Sequence, residues 1–324
     1  MTMTLEVTDE RAASSDYAVE THGLTKKFGA NTAVNSVELL VPRGCAFGYL
    51  GPNGAGKTTL IRTLLGLTHA NAGTMKLLGY PVPSQRDKAL ARVGAIVDEP
   101  RFHAHLTGRQ NLEILAAARE REARDRVGPS LARVGIAHRA DDKVSKYSMG
   151  MRQRLGVAAC LIADPELLLL DEPMNGLDPA GMADMRDMIR SLVDEGRTVV
   201  LSSHLLDEVQ RTCDAVAIVD RGRVVRQGSI DELLAGSARD LEIEVDDPDR
   251  VGPLLAGLEA VRQITPVNGH LTVELAPDTD RAVIAEINRR LVTAGLEVYR
   301  LNESQVSLEQ WFLSVTTRLG EDAK

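Results

Sequence analysis

Gly51-Pro-Asn-Gly-Ala-Gly-Lys57-Thr58 is the stretch that decides the reading of this chain. It fits G-x-x-x-x-G-K-[ST], a loop whose backbone N–H groups cradle nucleotide phosphates. Gly51, Gly54 and Gly56 open backbone dihedrals closed to other residues and let N–H groups approach an anion. Lys57 supplies a point charge for the outer phosphates, and the Thr58 hydroxyl is a ligand for Mg²⁺. The flanks agree. Cys45 to Leu50 reads as a buried strand, and Lys57 to Leu67 as a helix with Leu60, Ile61, Leu64, Leu65 and Leu67 on one broad face. A strand, a glycine loop and a helix N-terminus together form an anion site, because the helix dipole and its free N–H groups point at the phosphate.

The 324 residues suffice for one large or two modest domains. A hydrophobic fraction of 44% and a charged fraction of 26% are those of an ordinary soluble globular protein. Aromatics at 3% argue against stacking platforms for single-stranded nucleic acid. A formal net charge of −8 disfavours non-specific binding to DNA, RNA or anionic lipid, so no nucleic-acid partner is expected. No apolar run approaches the roughly 20 residues that span a bilayer. Residues 1–16 read as a disordered polar lead without the features of a signal peptide. Cys45, Cys160 and Cys213 lack metal-ligand spacing and read as buried, reduced thiols.

Before the loop, residues 17–22 and 37–42 carry short β-type patterns, expected as antiparallel strands at one edge of the sheet. Gly73 to Gly79 reads as a short strand and turn. Residues 85–163 read as helical, with a charged helix from Gln110 to Arg126 that carries Leu112, Ile114, Leu115 and Ala118. Leu167 to Leu170 is a continuous apolar run that suits a central parallel strand. Thr198–Leu201 and Ala215–Val219 are two more strands, and Asp220 to Arg223 turns the chain into Val224-Val225. After Gly236 the pattern restarts as strand, helix, strand, strand, helix, strand. That order suggests a small split-βαβ, ferredoxin-like domain over 236–324.

Two further motifs carry chemistry. The leucine run delivers Asp171 beside the loop, where it can hold Mg²⁺ through water. Glu172, one residue on, stands where a base would polarise water against a γ-phosphate. Tyr147-Ser-Met-Gly-Met151 opens a helix capped by Ser148 and stopped by Pro165, with Met151, Leu155, Ala158, Ala159 and Ile162 as its apolar stripe. A Ser-headed, Gly-containing helix N-terminus is also a phosphate-binding terminus. His204, between a strand and a helix, can donate from its imidazole to a γ-phosphate. His103 and His105 read as members of a solvated loop.

These residues resemble the ATP-binding subunit of the ABC transporter family, over residues 17–235. Gly51–Thr58 resembles its phosphate loop, Tyr147–Met151 its signature, and Leu167–Glu172 its magnesium and catalytic-glutamate strand. Asn175-Gly-Leu-Asp178 resembles the D-loop, and His204 the switch histidine. Phe28 falls where the family places an aromatic that stacks on adenine. The resemblance implies a P-loop α/β domain with a mixed sheet and a helical subdomain. It implies ATP binding through Phe28, Gly51, Pro52, Asn53, Gly54, Ala55, Gly56, Lys57, Thr58 and Thr59, with Mg²⁺ on Thr58, Asp98 and Asp171. Glu172, His204 and Lys57 are the implied catalytic set. Ser148, Met149, Gly150 and Met151 would act in trans on the nucleotide of a second subunit, and Asp178 would belong to the D-loop.

Two departures matter. Met149 and Met151 replace the first of the two consecutive glycines and the Gln of the usual signature, a variant similar to bacterial exporters of drugs and antibiotics. Asp98 stands where the family usually has Gln, or Glu in some exporters, and Asp is one methylene shorter. Glu99 is the alternative working group there. An importer would favour the intact signature and Gln at 98. A ribosomal ABC ATPase carries two tandem nucleotide domains, and a DNA-acting one splits its motifs with long coiled coils. A GTPase-like switch is disfavoured by the long interval from Lys57 to Asp171 and by the Tyr147–Met151 segment. The resemblance therefore implies an export motor that needs a separate membrane permease and a second ATP-binding subunit, identical or a sister. It also implies a cytoplasmic place, peripheral at the inner face of the membrane. Residues 98–106 would relay nucleotide state to the permease contact. Ser307 to Leu313 resembles the ending of drug-exporter ATPases, with Trp311 and Phe312 as anchors of a regulatory or dimer-supporting domain.

Overall fold

The computed structural model describes residues 16–235, 239–267, 270–276, 279–305 and 308. The lead over residues 1–15 and the ending around Trp311 and Phe312 lie outside the described residues. The chain forms two compact units, residues 1–228 and 229–324. Among the described residues no helix is long and apolar enough to cross a membrane.

The first unit begins with β1 (Tyr17–Phe28), β2 (Asn31–Pro42) and β3 (Ala46–Leu50), then α1 (Lys57–Leu64). It continues through β4 (Ala72–Leu77), β5 (Tyr80–Val82), α2 (Arg86–Ala91), β6 (Val93–Ile96), α3 (Gly108–Ala117), α4 (Val127–Arg133) and α5 (Met149–Leu161). Then come β7 (Leu167–Asp171), α6 (Pro179–Asp194), β8 (Thr198–Ser203), α7 (Leu206–Thr212), β9 (Ala215–Asp220) and β10 (Arg223–Ser229). Six strands make the main sheet, ordered β10-β9-β3-β8-β7-β6. Within it β9, β3, β8, β7 and β6 pair in parallel. The turn Arg221-Gly222 is too short for a crossover, so β10 returns antiparallel to β9. Every residue of β3, β7 and β8 is buried, which explains their unbroken apolar reading.

The early strands differ from their sequence reading. β1 and β2 are twelve residues each and belong to a separate four-stranded sheet, β2-β1-β4-β5, with antiparallel pairing. Register shifts between Thr21 and Lys27 break the alternation that would have marked their full length. The two sheets and α1 share one core built on Leu24, Leu39, Phe47, Leu60 and Leu169.

The helical region differs too. Val93–Ile96 inside it is an edge strand beside β7. The expected helix to Arg126 ends at Ala117 and gives way to a single 3-10 turn, Arg121–Ala123. Leu112 and Ala116 supply its buried face, whereas Ile114 and Leu115 stay exposed. Ala118 stays exposed, and the charged run after it offers no apolar residue to bury until Ala123, so nothing holds another helical turn. α5 is buried on several sides, at Leu155, Gly156, Val157, Ala158, Cys160 and Leu161, and is broader than a stripe. α1 stops at Leu64, leaving Leu67 exposed.

The second unit holds α8 (Ile230–Ala235), β11 (Arg239–Val245), α9 (Val251–Leu255), β12 (Val261–Val267), β13 (His270–Leu275), α10 (Arg281–Thr293) and β14 (Val298–Gln305). Its antiparallel sheet is ordered β12-β13-β11-β14. Leu241, Ile243, Val273, Ile287 and Leu291 form its core.

Candidate functional site

Parallel pairing brings three strand ends together. Leu50 sits opposite Ser203, and Asp171 opposite Ser202. The chain therefore leaves β3 into Gly51, β7 into Glu172 and β8 into His204 at the same carboxyl edge, where open α/β sheets bind ligands.

The loop is shaped by its glycines and held from outside. Gly56 has φ +96°, and a methyl group there would lie 2.0 Å from the Ala33 carbonyl oxygen of β2. A methyl group on Gly51 would lie 2.4 Å from the Val219 carbonyl oxygen. Gly222 donates to the Ala55 carbonyl at 3.1 Å, and Asn35 to the Gly222 carbonyl at 2.8 Å, so both sheets grip the loop. Among the described residues, the N–H groups of Gly54, Gly56, Lys57, Thr58 and Thr59 have no protein acceptor. These are the free donors of a helix start, available to an anion.

Lys57 is buried, and its ammonium donates to the carbonyls of Gly51 and Pro52 at 2.7 and 3.2 Å. It also pairs with Glu172 Oε1 at 3.2 Å. The other carboxylate oxygen of Glu172 lies 2.9 Å from His204 Nδ1. Glu172 thus bridges a cation and an imidazole, on a backbone with φ +48°. Such left-handed geometry in a non-glycine residue stores strain and clusters at functional positions. Asp171 is also buried. It accepts from Thr58 Oγ1 at 2.6 Å and from Ser202 Oγ at 2.5 Å. The Ser202 hydroxyl in turn accepts from the Glu172 N–H at 2.9 Å. Ser202 was missed from the sequence; its only signal was its place two residues before His204.

A cavity of about 470 Å³ opens onto Lys57, Glu172 and His204. It runs from Phe28 and Asn31 past Gly54, Lys57 and Thr58 to Glu172 and His204. That volume is ordinary for a small-molecule site. Phe28 is half exposed there, with the Lys26 ammonium 4.7 Å from its ring centre. Asn31, Ala33 and Asn175 also line it; β2 contributes the first two, which no local motif announced.

Several sequence expectations fall outside that cavity, Gly51, Pro52, Ala55 and Asp171 among them. Ser148, Met149, Gly150 and Met151 do not line it. Ser148 instead caps α5, accepting from the Met151 N–H at 3.3 Å. Asp178 caps α6, accepting from the Gly181 N–H at 2.9 Å. Asp98 approaches Asp171 only through its own N–H, at 3.5 Å, while its carboxylate is ion-paired with Arg62 of α1. The His103 and His105 rings are 5.8 Å apart, and among the described residues no three His, Cys, Asp or Glu side chains gather into a group that could hold a metal ion.

All three thiols are harder to ionise than a free cysteine. Burial pushes the Cys160 thiol up to about 12 and that of Cys45 up to about 11, with Asp214 adding to the rise at Cys45. Cys213 is raised as well, by burial first and Asp214 second.

Comparison with known proteins points one way. The family described as ABC transporter matches residues 34–175. The bacitracin transport ATP-binding protein BcrA of Enterococcus faecalis is 38% identical over 299 residues, covering 92% of this chain and 96% of the relative. The daunorubicin resistance ATP-binding protein DrrA3 of Streptomyces coeruleorubidus is 36% identical over 315 residues, covering 96% and 98%. A solved structure described as the ATP-binding subunit of an ABC transporter superposes with a TM-score of 0.60 at 27% identity, over 67% of this chain and 91% of its own.

Proposed function

This chain belongs to the ABC transporter family, and from that membership we propose how its own residues serve an export motor. It is an ATP-binding, ATP-hydrolysing subunit. Its cargo, in this reading, is a drug, an antibiotic or another small molecule, moved outward by a separate permease. The relatives named for bacitracin transport and daunorubicin resistance support that class.

The adenine stacks on Phe28, and the triphosphate lies along the free N–H groups from Gly54 to Thr59. Lys57 meets the outer phosphates. Thr58 and Asp171 present hard oxygen atoms next to one another, the donor type magnesium takes, and both fit it. When bound, that ion neutralises charge developing between the two outer phosphates. Glu172 orients and deprotonates the attacking water, and His204 steadies the transferred phosphoryl group. Ser202 holds Asp171 and Glu172 in register through one hydroxyl. Asp98 reaches the site only after releasing Arg62.

Ser148 and Gly150 serve the nucleotide of a second ATP-binding subunit. Ser148 and Gly150 line neither the nucleotide cavity nor the smaller one beside it, which supports this arrangement. The subunit then works at the inner face of the membrane, bound to its permease. Residues 236–324 form a split-βαβ domain that regulates or supports the dimer. The strand order β12-β13-β11-β14 with helices after the first and third strands supports that assignment.

The single observation that carries the mechanism is the Lys57–Glu172–His204 chain of contacts at the loop. Glu172→Gln should bind ATP as tightly as the parent, lose hydrolysis by about 10²-fold or more, and elute as an ATP-dependent dimer. A variant that hydrolysed ATP at the parental rate and stayed monomeric would remove Glu172 from the role of base.

A further inference from the structure

Beside the nucleotide cavity lies a smaller one of about 220 Å³. Thr58, Asp171 and Glu172 form one wall, the Asp98–Pro100 loop another, and Met149, Arg152 and Gln153 of α5 a third. Helix and loop are packed without slack, since a methyl group on Gly156 would lie 2.9 Å from the Pro100 ring. Gln153 is only 6% exposed, and its Oε1 has no hydrogen-bond partner among the described residues. Buried polar atoms are nearly always paired, so an orphaned carbonyl on a cavity wall calls for a donor.

The Thr58 hydroxyl is given to Asp171, and one Arg152 N–H donates to the Tyr147 carbonyl, which leaves the other Arg152 N–H groups and the Asn175 amide as the donors on the wall. Asp98, Glu99, Asp171 and Glu172 are acceptors only, when ionised. An acceptor-rich pocket of this kind suits a cation that brings its own donors. At roughly 30 Å³ per water, about 220 Å³ accommodates about seven waters, enough for a magnesium ion with the several waters it retains.

We propose that Gln153 is a positioning residue for that hydrated cation, its Oε1 accepting a hydrogen bond from a water on the ion that Thr58 and Asp171 hold. This rests on the magnesium reading of Thr58 and Asp171 given above. The Asp98 carboxylate is committed to Arg62, so α5 supplies the neutral carbonyl oxygen in its place. Cation binding is thereby linked to the helix that Ser148 caps, five residues upstream.

Affinity for a fluorescent ATP analogue, measured in magnesium and again in EDTA, tests this on the full chain. Gln153→Met keeps the side-chain length and removes the carbonyl. It should leave the EDTA affinity within about twofold and reduce the magnesium-dependent gain about tenfold or more, the usual effect of losing an outer-sphere partner. Relieved of its orphan, the metal-free variant should melt about 2–4 °C higher. Gln153→Glu, which keeps an acceptor, should retain the gain. A Gln153→Met protein with the full magnesium gain overturns the proposal, as does one that melts lower without metal while binding magnesium normally. If the parent itself gains nothing from magnesium, the reading of Thr58 and Asp171 falls with it; a failure confined to the variants overturns Gln153 alone.

Discussion

Replacing Gly56 with alanine superimposes two costs that a second substitution separates. At φ +96° an L-residue carries left-handed strain of about 1–2 kcal/mol. Its methyl group would also lie 2.0 Å from the Ala33 carbonyl, well inside the 3.4–4 Å of ordinary contact. Either β2 or the loop must move, and overpacking of this kind costs about 1–3 kcal/mol more. Gly54 provides the control. Its φ is +84°, and a methyl group there meets nothing within 4 Å. In nucleotide-free protein, Gly54→Ala should therefore lower the unfolding free energy by about 1–2 kcal/mol, and Gly56→Ala by about 2–5 kcal/mol. Urea unfolding followed by far-UV circular dichroism, with an unchanged slope, measures both. If Gly56→Ala proves no worse than Gly54→Ala, the claim that β2 braces the loop is refuted.

Deleting residues 236–324 should leave nucleotide binding intact and impair dimer formation or transport, read by size-exclusion chromatography with ATP and by cellular drug tolerance; unchanged assembly and transport would remove the domain's regulatory or dimer-supporting role. Cys160 should resist iodoacetamide at pH 8 in folded protein and react once unfolded. Its folded value of about 12 lies above the unfolded 9.0, so the folded state holds its proton longer. The stabilisation from this group is complete below pH 9 and is lost as pH rises toward 12, which denaturant midpoints of the parent and Cys160→Ala should reveal.

The parts of the site legible in the sequence are those written in contiguous residues. Gly51 to Thr58 fixed its own turn, and Leu167 to Glu172 announced a strand that ends in acids. Both motifs work through local backbone geometry, so neither needs a distant neighbour to be recognised. What escaped notice depends on residues far apart in the chain. Ala33 acts through a carbonyl oxygen, which has no residue signature. Arg62 and Asp98 meet across 36 positions, and nothing in either segment names the other. Val93–Ile96 reads as part of a helical stretch because four residues are too few to show a period, and only β7 beside them makes them a strand. The length of β1 was hidden by its irregular register, and the reach of Gln153 by its place within an ordinary buried helix.

The contacts of Glu172 bear on idleness as much as on turnover. With one oxygen against the Lys57 ammonium and the other against the His204 ring, each carboxylate oxygen has a partner before any substrate arrives. A phosphate that claims Lys57 sets that oxygen free. On the proposed assignment the triphosphate therefore arms the group that destroys it, and until a nucleotide arrives the base stays masked by the same lysine that will hold the phosphate.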